Sequence, residues 1–248
     1  VFMLILTRII GLFLVAPLFS DRSISRAFKI GLVIWITIVL WYVVPVDIDK
    51  MPTSGVAYGF AVFQELLVGL FLGTIPQILF AGVRAMGEIV GMQMGLSVAT
   101  TFNPSEGGQE SLLTKFFANI MLLLLLIIDG HHLLLAAIRK SFDVLPLLNT
   151  WNFMQSGQYI AEMAGAIFAI GISLAAPIIL IIFLLDFAFG LVSRVAPQVN
   201  VFMLGFQLKP PLGEIVTILI TPLLMERMVY LLGRMVNELT QLFYLMHM

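Results

Sequence analysis

Residues 163–185, between Glu162 and Asp186, carry no charge, and Pro177 interrupts them from within. A helix rising ~1.5 Å per residue over that length spans a hydrocarbon core of ~30 Å. Residues 30–46, 66–83 and 89–105 are also uncharged, and 116–128 form a shorter run. Yet Glu65, Asp129, Glu162, Asp186 and Glu226 sit within or beside these apolar stretches. Apolar runs with acids set into them imply an all-α, membrane-associated protein whose helices pack partly on other protein.

Composition narrows the class further. Hydrophobic residues are 60% of 248 and charged residues 11%, where a soluble domain is nearer 25% charged. No Gly/Ser linker or charge block divides the chain, so residues 1–248 read as one helical domain. A net charge of −1 supplies no basic field for nucleic acid. With no Cys there is neither a disulfide framework nor a thiolate metal site. The opening run Phe2 to Phe19 lacks a basic n-region and a small-x-small exit, and it carries Arg8 near its middle. It is expected to be a retained helix, with a short piece preceding Val1.

The expected helices are 2–19, 27–45, 55–83, 85–102, 112–138, 158–193 and 213–246. Turn chemistry marks Ser20 to Arg22, Pro45 to Ser54, Asn103 to Gly108, Leu145 to Ser156, and Ala196 to Leu212 with Pro197, Pro210 and Pro211. Arg22, Arg26 and Lys29 against Asp21 place the first connection on the cytoplasmic side; Asp47 and Asp49 against Lys50 suit the outside. Later connections mix both signs.

Gly87, Gly91 and Gly95 recur every four residues, as Gly69 and Gly73 do, and Ala161, Gly165, Ala169 and Ser173 make a third small stripe. Such spacing lines one helix face and lets another backbone come close, within the chain or across a subunit seam. Asn103 to Gly108 is a strongly helix-breaking segment between apolar helices, flanked by Phe102, Phe116 and Phe117; Ser111 can cap the next helix. It is either an ordinary connection or backbone lining an aqueous path. Arg8, Glu65, Glu162 and Asp186 are costly at membrane depth unless paired or hydrated; buried pairing is the expectation, a proton relay the alternative. His131 and His132 are adjacent and should diverge on a helix, so no metal site is expected there. No P-loop, GxGxxG or Ser/His/Asp set argues for an enzyme or a cofactor.

Read together, these pieces resemble the FliR/SctT family of type III secretion export-gate subunits, over nearly the whole chain. The resemblance rests on Arg8-x-x-Gly11 followed by Pro17 and Arg26, on GEIVGMQMG at 87–95, on the Pro/Gly segment 103–108 and on Asp129-Gly130-His131. Its most specific part is Ala175-Ala176-Pro177-Ile178, Asp186, Gly190, Arg194 to Phe202, and Gly205-Phe206. The flagellar and injectisome branches share these features.

The resemblance implies long kinked helical hairpins, with residues 1–157 FliP-like and 158–248 FliQ-like. It implies a bacterial inner-membrane gate at the flagellar basal body, raised toward the periplasm, in which one such chain joins about five FliP and about four FliQ copies and closes a split helical ring. An FlhB-like switch protein, membrane lipid and unfolded exported flagellar proteins are the other implied partners. Phe102, Asn103, Pro104, Ser105, Glu106, Gly107, Gly108, Gln109, Glu110 and Ser111 match the family's plug, which fills the closed pore. Gly87, Gly91 and Gly95 are the expected helix-packing seam. Arg194, Pro197, Asn200 and Lys209 fall in the family's cytoplasmic-side turn. The family's Met-rich gasket comes mainly from FliP, so Met92 and Met94 are not assigned to it.

Two other functions compete with an export-gate subunit. One is a proton-coupled small-solute transporter, with Pro177 breaking a helix at a binding site and Glu162 or Asp186 carrying protons. The other is a purely structural membrane subunit. The lack of any internal repeat or matched pair of broken helices weakens the transporter.

Overall fold

The computed structural model describes residues 1–20, 24–45, 52, 54–96, 111–149 and 153–247. The described residues contain eight helices: α1 (Phe2–Val15), α2 (Pro17–Ser20), α3 (Arg26–Val43), α4 (Gly55–Gln93), α5 (Leu112–Ile127), α6 (Gly130–Val144), α7 (Phe153–Val195) and α8 (Val201–His247). Expectations for Asp21 and Arg22, for 46–50 and for Phe102 to Glu110 lie outside the described residues.

Local chemistry sets the helix starts. Ser25, Ser54, Ser111 and Asn200 each accept, through a side-chain oxygen, the N–H three residues on, at 3.1–3.3 Å. Each thereby satisfies a donor that the first turn leaves orphaned. The stops differ from the expected ones for equally local reasons. The expected helix 2–19 breaks at Ala16, held extended (φ −59°, ψ 128°) by the proline after it. The expected break at Arg84 is absent, because a charge does not stop a helix and Arg is a good helix former; α4 runs on to Gln93. There the Leu96 N–H reaches the Gly91 carbonyl and the Gly95 N–H the Met92 carbonyl, both at 3.0 Å. With Gly95 at φ +78°, this is a Schellman cap.

The expected helix 112–138 divides at Ile128-Asp129, where Asp129 is left-handed (φ 56°) and α5 and α6 bend by 68°. The expected connection 196–212 shrinks to 196–200. Asn200 starts α8 at once, and Pro210, Pro211 and Pro222 lie inside the helix. A proline in a helix removes one N–H and kinks the rod without always ending it.

Among the described residues four helices, α3, α4, α7 and α8, are long and apolar enough to cross a membrane, and the bent α5–α6 pair makes a fifth candidate. In α4 61% of the most apolar stretch is buried, against 17% in α3, 28% in α7 and 22% in α8. Thus α4 is an interior helix, and the other three turn apolar surface outward toward lipid or protein.

The chain forms two compact units: Val1–Leu79, Leu125–Gly165 and Leu231–Met248 in the first, Phe80–Leu124 and Ala166–Tyr230 in the second. In the first unit α1 lies against α4 at Gly11, Gly69 and Gly73. A methyl on Gly69 would run into the Arg8 carbonyl, and one on Gly73 would sit 3.0 Å from the Leu12 oxygen. The expected Gly69/Gly73 stripe is therefore a contact within the chain. Leu4, Ile5, Ile9, Leu12, Leu72 and Ile75 fill its core. In the second unit Val83, Met86, Val90, Phe117, Met121, Ala175 and Ile178 are buried.

Candidate functional site

In the first unit, close approach of α1 and α4 brings two charges together. Arg8 is 1% exposed and donates from Nε to Glu65 Oε2 at 2.6 Å. Its Nη1 donates to Ser141 Oγ at 3.1 Å and its Nη2 to the Leu145 carbonyl at 3.0 Å. The Phe142 ring lies 4.2 Å from Cζ. One guanidinium thus ties α1 to α4 and to the end of α6, with both charges paired out of water. Arg suits the position because its planar fork serves several acceptors at once.

The other two expected buried charges behave differently. Glu162 is not buried: it is exposed on α7 and accepts from Gln158 Nε2 at 3.2 Å, one turn away. An apolar sequence neighbourhood did not bury it, because its helix face meets no other part of the described chain. Asp186 is partly exposed, at 41% of its side chain, and pairs with Lys209 Nζ at 2.5 Å. Lys209 therefore leaves the expected turn; it sits in α8, within reach of α7. Arg194 ends α7, Pro197 lies in the short turn and Asn200 caps α8.

The second unit holds the seam. A methyl on Gly87 would stand 2.5 Å from Thr114 Cα, and one on Gly91 2.9 Å from Ser111 Oγ. Both glycines therefore lie against the start of α5. Ser111 is buried; its hydroxyl reaches the Gly87 carbonyl at 3.5 Å and Thr114 Oγ1 at 3.0 Å, while Thr114 Oγ1 donates to Glu88 at 3.2 Å. Gly95 leaves the stripe. It stands beyond the helix end in the left-handed conformation, which its place in the cap requires.

The end of α4 also borders a cavity of about 400 Å³ in this unit. Met92, Met94 and Gly95 line one part of it; Asp186, Gly190, Phe202, Gly205, Phe206 and Lys209 line the rest. The Phe202 and Phe206 rings meet edge to face at 4.9 Å. Two sequence stretches far apart, 87–95 and 186–206, converge here. Sequence reasoning missed that convergence and the Asp186–Lys209 pair; opposite charges flanking a short turn were the available signal. Of the described residues that flank 97–110, Gly95 caps α4 and Ser111 lies on the Gly87–Gly91 face.

At the α5–α6 break, in the first unit, His131 and His132 do not diverge as expected. Their ring centroids lie 4.1 Å apart, and one ligand atom from each of Asp129, His131 and His132 falls within 4.8 Å of the others. The left-handed Asp129 starts the helix abruptly and folds its carboxylate back toward the rings.

The family model described as bacterial export proteins, family 1, matches residues 1–235. The chain is 33% identical over 241 residues to the flagellar biosynthetic protein FliR of Escherichia coli K12, covering 96% of this chain and 90% of that one. It is 32% identical over 217 residues to FliR of Pectobacterium carotovorum, covering 88% and 82%. It is 26% identical over 202 residues to the surface presentation of antigens protein SpaR of Shigella sonnei, covering 82% and 77%. With a family match over residues 1–235, relatives 32–33% identical over most of the chain and helices long enough to cross a membrane, the chain belongs to the FliR/SctT family of bacterial export proteins, components of the type III export apparatus.

Proposed function

We propose that this chain is a core subunit of the type III export gate in the bacterial inner membrane. With FliP-like and FliQ-like partners it forms part of the path for unfolded flagellar proteins, and residues 102–111 are its plug. The observation that supports the reading is the placement of the described residues on either side of 97–110. Gly95 caps the end of α4, and the buried Ser111 rests on Gly87 two turns back on the same helix, in a unit that also contains a cavity. In this proposal the connection between those two points fills or leaves a path while the helices on either side stay in place.

The exposed apolar faces support the partner assignment. Ala161, Gly165, Ala169 and Ser173 line α7 where it is open or only partly covered, and among the described residues nothing approaches a methyl placed on Gly165. A small-residue stripe left open on an apolar helix suits close packing by a neighbouring subunit. Residues 1–157 are proposed to occupy a FliP-like position and 158–248 a FliQ-like one, with about five FliP and about four FliQ copies completing a split helical ring and an FlhB-like protein meeting it. A transporter with a substrate site at Pro177 is disfavoured. Such sites use helices unwound at the bilayer midplane, whereas α7 runs through Pro177 from Phe153 to Val195.

Co-expression with the FliP and FliQ of the same source, followed by extraction in mild detergent and native mass spectrometry, tests the assignment. One copy of this chain in a single assembly with both partners is expected. A chain that purifies as a stable monomer while FliP and FliQ assemble without it would overturn the reading.

A further inference from the structure

We propose that Asp129, His131 and His132 form a binding site for a divalent transition-metal ion of the zinc class, at the break between α5 and α6. One oxygen and two imidazole nitrogens lie within 4.8 Å of one another. Zinc bonds of about 2.0–2.2 Å put tetrahedral ligands roughly 3.4 Å apart, so side-chain rotations of roughly an ångström complete the set. His132 Nδ1 and Asp129 Oδ1 are already 3.7 Å apart, and both side chains are more than two-thirds exposed and able to turn.

Two further observations point to a ligand. His131 Nδ1 is shielded from solvent and has no hydrogen-bond partner among the described residues. A buried nitrogen so placed is costly unless something takes its lone pair. Asp129 stands at the N-cap position of α6 yet makes no side-chain cap hydrogen bond. Its carboxylate forgoes the usual role of an N-terminal Asp and faces the imidazoles instead. Two imidazoles and one carboxylate suit Zn²⁺, Ni²⁺ or Co²⁺ far better than Mg²⁺ or Ca²⁺, which prefer all-oxygen sites. Water completes the coordination. A bound ion fixes the left-handed start of α6, because it ties Asp129 at the N-cap to His131 and His132 in the first turn.

The chain has three histidines and no cysteine, so few of its other side chains compete. The full chain, co-purified with its partners through a tag without histidines and stripped with chelator, is titrated with Co²⁺ and followed by visible absorption. Saturable bands at one ion per copy of this chain are expected. His132→Ala is expected to weaken them roughly tenfold or more, since even outer-shell partners of metal ligands are worth 10–100-fold. Asp129→Gly keeps the left-handed backbone and should also weaken them, whereas His247→Ala should not. Zn²⁺, but not Mg²⁺, should raise the melting temperature of the wild-type assembly and not that of His132→Ala. Bands that persist unchanged in the Asp129→Gly/His132→Ala variant, or a melting temperature indifferent to Zn²⁺, would overturn the proposal.

Discussion

Arg8 and Glu65 are the residues whose loss the first unit should feel most. Each is nearly inaccessible and each answers the other, with Ser141 and the Leu145 carbonyl completing the guanidinium's partners. Removing one member leaves the other charge buried and unpaired. Arg8→Met or Glu65→Leu is expected to cost ~3–5 kcal/mol, while the double change recovers most of the loss because an apolar pair needs no compensation. Thermal melting of the purified assembly, read as a double-mutant cycle, checks this; additive losses would show that the two side chains do not act as a pair. Gly87 and Gly91 make a graded contrast at the same scale. A side chain at Gly87 meets the Thr114 backbone, which cannot yield, but at Gly91 it meets the Ser111 hydroxyl. Overpacking costs ~1–3 kcal/mol, so Gly87→Leu should lower accumulation of the chain more than Gly91→Leu. Quantitative immunoblotting of membranes measures the difference, and equal accumulation would place the contact elsewhere. The Arg8 pairing was foreseeable from cost alone, since a lone arginine in an apolar run needs an acid. The same rule misplaces Glu162, because a sequence does not show which face of its helix is covered.

Helix starts were legible at Ser54 and Ser111, where a capping serine stood, but not at Asn200, and helix ends were less legible still. Gly95 reads as one more glycine in a four-residue stripe. Its left-handed φ of +78° depends on the chain turning away after Gln93, which spacing does not encode. A β-branched residue there meets a left-handed penalty of ~1–2 kcal/mol. Gly95→Val should therefore lower the melting temperature while Gly95→Asn, tolerated in that region, stays near wild type. Equal melting would mean that the cap contributes nothing. Three prolines suggest a longer α7–α8 loop than the structure has, because Asn200 already starts the helix ahead of them. The side of the membrane on which this turn lies is testable by charge. Arg194 and Lys209 flank it, and positive residues favour the cytoplasm. Cysteines at Gln207 and Asp49 in this cysteine-free chain should react with an impermeant maleimide from opposite sides; labelling from the same side would refute this orientation.

At the scale of the molecule, all-α membrane character was legible from residues 163–185 and the other uncharged runs. Composition alone could not reach an export component; the family was carried by specific residues from Arg8 to Phe206, most of all by the stretch 175–206. The chain's interleaving into two units was not legible, because α4, α5, α7 and α8 each contribute to both and nothing in their sequences marks the crossing. That interleaving bears on the plug proposed at 102–111. The helices on either side, α4 and α5, are anchored by buried residues of their own, such as Val90 and Phe117, and should stand without the segment. Deleting residues 103–110 while keeping Ser111, whose hydroxyl caps α5 and rests on Gly87, should leave co-purification with partners near wild type. On the proposed function it should also make the membrane leak ions and small solutes, because a path wide enough for an unfolded protein would lose its filling. Replacing Gly107 and Gly108 with Val should act in the opposite sense. Stiffer backbone moves aside less readily, so export should slow with no leak. Conductance of reconstituted assemblies and secretion of flagellar substrates separate the two effects. A deletion that secretes normally and stays tight would return 102–111 to the status of a connection between two helices.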